Sequence, residues 1–114
     1  MITLTKIPLP QGDIIVRIVD ELPAGLREVA PEDGKLIVAH SETGHHHAVE
    51  ARLAKLLRGD DSPWTCYLHV TAEYADLVNL RAQNPHETMR LPQGYVRIDR
   101  KTEYTPAGLR AVQD

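Results

Sequence analysis

The stretch Trp64 to Ala72, WTCYLHVTA, places Trp64, Cys66, Leu68 and Val70 on one face of an extended chain and Thr65, Tyr67, His69 and Thr71 on the other. That period of two is the pattern of a strand with one buried face. The same alternation returns in Tyr95 to Tyr104, with Val96 and Ile98 inward and Arg97 and Asp99 outward. In Asp13 to Leu22 the apolar residues Ile14, Val16 and Ile18 share one face while Ile15 and Val19 occupy the other, which suits a central strand. Lys35 to His40 reads as a further strand, and Ile2 to Ile7 as an edge strand or arm ending at Pro8.

Between these segments lie clusters of turn residues: Leu9 to Gly12, Pro23 to Gly34, Asp60 to Pro63, and Leu91 to Gly94. Many short strands separated by proline and glycine turns predict a mainly β domain, a small antiparallel sandwich or barrel. At most one short helix is expected, at about residues 50–58, where EARLAKLLR has a helical composition and Gly59 is placed to end it. The 114 residues are expected to form a single domain, 1–114, large enough for a core without disulfides or metals.

An internal repetition runs through this pattern. Residues 9–29 and 91–112 both begin with LPQG and end with PAGLR followed by valine. Two such units imply comparable places in the sheet, as neighbouring strands; recurrence of common turn chemistry would explain the same letters without a shared origin.

Composition narrows the functional classes. A net charge of −3 and the absence of a basic stripe argue against a nucleic-acid binder. With one tryptophan, four tyrosines and no phenylalanine, a base-stacking platform is also unsupported. Cys66 has no partner for an internal disulfide and alternates with core residues, so it reads as a small buried side chain in a reducing compartment. No apolar run reaches membrane-spanning length and no leader-like segment opens the chain; the expectation is a cytoplasmic protein that does not bind membranes.

The chemistry concentrates in Lys35 to Glu50, KLIVAHSETGHHHAVE, which holds four of the six histidines. On an extended chain His45, His47 and Val49 share a face, and two imidazoles so spaced can converge on one ion. A third ligand is expected in His86, from Asn84-Pro85-His86-Glu87, with Glu87 as ligand, supporting group or general base. The candidate metal ligands are therefore His45, His47 and His86, and the candidate cofactor is a divalent transition metal such as zinc, iron, nickel or manganese. His40 lies on the Leu36 and Val38 face and could fold back toward the pair, whereas His69 reads as structural. The competing reading is a solvated polar turn whose histidines satisfy local groups. No catalytic residue is assigned: there is no P-loop, no nucleophile elbow and no helical His-Glu-x-x-His, and His69-x-Thr71 and His86-x-Thr88 lie too close together for a two-histidine phosphoesterase.

The ordered set Gln11-Gly12-Asp13, Glu42-Thr43-Gly44-His45-x-His47, His86, Leu91-Pro92-x-Gly94 and Glu103-Tyr104-Thr105-Pro106 resembles a family of small uncharacterised bacterial and phage-associated proteins. That resemblance covers most of the chain and implies a shared fold, with weight on His45, His47 and His86, but no reaction. A looser resemblance is to cupins, β-barrels that hold a metal through His-x-His, a glutamate and a later histidine. Here Glu50 would fall on the face opposite His47, and His86 precedes the Pro-x-Gly turn instead of following it. Two classes follow: a metal-binding β protein acting on a small-molecule ligand, or a non-enzymatic structural or interaction protein, phage-associated, whose histidines serve the fold. A homo-oligomer is compatible with either.

Overall fold

The computed structural model describes residues 1–40, 46–80, 88–105 and 108–111. Its strands among those residues are β1 Ile2–Thr3, β2 Leu9–Gln11, β3 Ile14–Val19, β4 Arg27–Val29, β5 Lys35–Ala39, β6 His47–Glu50, β7 Ala54–Arg58, β8 Thr65–Asn79, β9 Met89–Arg100, β10 Thr102–Thr105 and β11 Gly108–Ala111. The expected mainly antiparallel β architecture is what forms. The sheet is not closed into a barrel. No helix among the described residues is long and apolar enough to cross a membrane.

The long strands β8 and β9 pair antiparallel and form the spine. Their register runs from Thr65↔Asp99 to Val70↔Gly94, shifts, and resumes from Tyr74↔Pro92 to Leu77↔Met89. In the interruption β8 carries extra residues, a bulge that turns the ribbon and breaks its alternation. Buried positions therefore change parity. Cys66, Leu68 and Val70 point into the core before the bulge, and Ala75 and Leu77 after it; on β9 the switch separates Met89 and Leu91 from Val96 and Ile98. Gly94 sits at this point with φ 125°, a dihedral that disfavours any side chain. The Gln93 amide bridges the gap by donating to the Thr71 carbonyl at 3.0 Å.

The bulge is also where the ribbon changes partners. On one side β3 flanks β9 and β7 flanks β8, extended outward by β2 and β4. On the other side β6 and then β5 flank β8, and β1 pairs β9 in parallel. Residues from both sides share one buried cluster, Ile14, Val16, Leu56, Leu68 and Ile98 from the first and Leu36, Val49, Leu77, Met89 and Leu91 from the second. Each such side chain contributes about 1.5–3 kcal/mol by leaving water.

The stretch where at most one short helix was expected holds a single 3-10 turn, Ala51–Leu53, followed by β7. A lone helix of that length is marginal in water. Extended pairing instead sets Leu56 against Leu68 and Ala54 against Val70, inside the core. One tight turn follows its local residues closely. Asp33 and Gly34 take φ 50° and 74°, the pair of positive dihedrals a two-residue Asp-Gly loop requires, and Glu32 and Lys35 exchange backbone hydrogen bonds across it.

The repeated units do become neighbours, because β3 and β9 pair directly. Aligned on their LPQG starts, the units place Val16 and Ile98 at the same repeat position, and those two residues are cross-strand partners. The turns themselves differ. In the first unit Leu9–Gln11 is β2 and Gly12 opens a hairpin loop, whereas Leu91 to Gly94, expected as a turn, runs inside β9. Opposite the second LPQG the long β8 runs alongside and pairs with Leu91, Pro92 and Gly94 across its bulge, so the chain stays extended through its proline and glycine. The second PAGLR begins at residues 106–107, outside the described residues.

Candidate functional site: a buried histidine network

The hairpin between β2 and β3 is only two residues long, Gly12 and Asp13, with Gln11 paired to Ile14. Gly12 takes φ 56°, the positive value such a loop needs at its first position. This brings Gln11 and Asp13, flanking the glycine, into the interior at 2% and 4% exposure. On the far side of the core, β6 pairs β5 and β8 so that His47 lies between Ala39 and Asn79.

His47 is 1% exposed and meets the hairpin with both ring nitrogens. Its Nδ1 lies 2.8 Å from Gln11 Oε1 and its Nε2 2.7 Å from Asp13 Oδ1. The Gln11 amide nitrogen donates to the Leu77 carbonyl at 2.9 Å, which leaves its oxygen facing the ring and makes Nδ1 the donor of that bond. Arg100, placed opposite Ile14 by the β3–β9 register, donates to Asp13 Oδ2 at 3.1 Å. The Asp13 backbone carbonyl accepts from Lys101 N–H at 2.8 Å. Asn79, also buried, borders the ring on β8. The chain Leu77, Gln11, His47, Asp13, Arg100 thus ties the β2–β3 hairpin and β9 to β6 and β8. Buried polar groups demand partners, and this arrangement supplies them.

The other histidines separate into different settings. His47 and Val49 do share a buried face of β6, as the two-residue spacing requires. His45, His86 and Glu87 lie outside the described residues. His40 is exposed, with Nε2 3.0 Å from Glu32 Oε2, and its ring stands edge-on to His46 at 5.2 Å, so it returns toward His46 and not toward His47. His69 packs beside the Tyr95 ring at 4.8 Å, a structural setting. No group of three or more histidine, cysteine, aspartate or glutamate side chains that could hold a metal occurs among the described residues. Gln11 and Asp13 stand on the two ring nitrogens of His47.

Gln11, Asp13 and Arg100 were not candidates on sequence grounds. Their signal was the Gln-Gly-Asp triplet, in which glycine between two buried polar residues marks a hairpin that turns its polar side chains inward. Arg100 carried no separate signal.

Cys66 faces the core, with Sγ 3.6 Å from the Val38 carbonyl. Burial is the main cause that pushes its thiol from the ordinary 9.0 up to about 12, against a smaller opposing pull from Arg58. At pH 8 its reaction with a disulfide reagent should be slowed about a thousandfold relative to the urea-unfolded chain, since only thiolate attacks. A native rate near the unfolded one would refute the buried placement. The linked effect on stability has a definite sign. Below the unfolded value both states carry the neutral thiol; above it the unfolded chain ionises first, so stability is lost as pH rises from 9.0 toward about 12.

Compared with known proteins, the chain matches one sequence family, described as a domain of unknown function (DUF8820), over residues 10–101. No curated protein and no solved structure gives a significant match.

Proposed function

The chain belongs to this family of unknown function, and within it we propose that the protein is a non-enzymatic structural or interaction domain whose buried histidine serves the fold. One observation carries the reading: His47, 1% exposed, has Gln11 and Asp13 on its two ring nitrogens. A ligand histidine keeps one nitrogen for the ion and uses the other for a supporting bond. His47 uses both to join separate parts of the sheet. The sheet is open, and β1, β2, β4 and β5 each have one neighbouring strand among the described residues. Such strands offer unpaired backbone groups for strand addition by another chain, including a second copy of this one. Phage association rests on the sequence resemblance alone.

The test is elemental analysis of untagged protein prepared without metal resin. The expected result is far less than one transition-metal ion per chain. One ion per chain, lost when His45 and His47 are both replaced by alanine, would overturn the proposal in favour of a site at His45, His47 and His86.

A further inference from the structure

A cleft of about 290 Å³ opens between β4, β5, β7 and the C-terminal end of β9. Its floor is apolar, formed by Val38, Leu56 and Ile98, all buried. Arg58, Arg100 and Trp64 also line the cleft. Both arginines are held in place. Arg58 donates to the Val38 carbonyl at 3.0 Å, and Arg100 to Asp13 Oδ2 at 3.1 Å. The guanidinium of Arg100 is part-buried, and its Nε–H, fully buried, has no acceptor among the described residues. A planar guanidinium at the wall of a cleft is suited to a carboxylate from outside. The acid on the rim, Glu32, is engaged with His40 at 3.0 Å.

We infer that this cleft binds a small organic anion, its carboxylate on Arg100 and Arg58 and its apolar body against Trp64 and the Leu56 floor. The volume lies at the small end of ligand pockets, which begin near about 300 Å³. An arginine pair matches the planar carboxylate, and indole and aliphatic walls match an aromatic or branched body. The binding needs no metal and does not depend on the role given to His47.

Trp64 is the only tryptophan, so its fluorescence reports this cleft alone. Sodium benzoate, titrated at constant ionic strength with excitation at the red edge of the indole band, should give a saturable change. Benzyl alcohol, which has the ring without the charge, should not. Arg100→Lys retains a cation for Asp13 but removes the planar guanidinium, and should weaken benzoate by about tenfold or more, the usual size of a lost charge-assisted bond. Arg58→Gln should weaken it comparably, and because Arg58 stands outside the Asp13 network this loss can be read even if the Arg100 variant fails to fold. An unsaturable response, or equal responses to benzoate and benzyl alcohol, would overturn the assignment. So would inorganic phosphate displacing benzoate at equal concentration, since the apolar half of the cleft would then select nothing.

Discussion

Replacing His47 by alanine should lower the unfolding free energy by about 2–6 kcal/mol, because a buried polar group that loses its hydrogen-bond partner costs about 1–3 kcal/mol and two groups lose one here. The size follows from what remains. Asp13 keeps Arg100 on one oxygen but loses the partner of the other, and Gln11 Oε1 loses its donor, both at less than 5% exposure. Water cannot reach these atoms without opening the seam between the β2–β3 hairpin and β6. Urea titration followed by circular dichroism measures the loss, and His46→Ala, at a half-buried neighbour, supplies the comparison with an expected change within about 1 kcal/mol. Equal small effects at the two positions would show that the network does not hold the fold.

The second large effect is expected at Leu68, which is fully buried and lies between Leu56 on β7 and Val96 on β9. Leu68→Ala should cost about 2–5 kcal/mol, the transfer loss plus that of the cavity left behind. Its neighbours are fixed by ladder hydrogen bonds on both sides, so little collapse into the space is available. A loss below about 1 kcal/mol would mean that the two halves of the sheet do not pack on this residue.

Leu68 also illustrates what was legible beforehand. From Trp64 to Val70 the side chains alternate without interruption, and the buried set Cys66, Leu68 and Val70 follows from that pattern alone. Beyond Val70 the bulge inverts the alternation, so the pattern read from Trp64 to Ala72 covers only the first part of a strand that runs on to Asn79. The helical composition of EARLAKLLR yielded to partners on β8 that local propensity does not register. LPQG, identical in two places, makes a hairpin where its own strand folds back and stays extended where β8 runs alongside. Local residues select among turn geometries; the neighbouring strand decides which one is used.

The histidine site divides along the same line. Spacing correctly places His47 with Val49 on a buried face of β6. Its partners lie 34 and 36 positions earlier in the chain and arrive only through sheet topology, so no local pattern announces them. A His-x-His spacing reports that two rings can share a face. It does not report what already occupies their nitrogens.

The most direct test of the network is the urea midpoint of the untagged protein, measured in a chelator and then in excess zinc. If His47 is engaged by Gln11 and Asp13, the two midpoints coincide, because His47 then gives zinc no ligand. A metal that bound the folded chain at one hundred times its Kd would add about 2.7 kcal/mol. An upward shift of that order, abolished by replacing His45 and His47 together with alanine, would contradict the account.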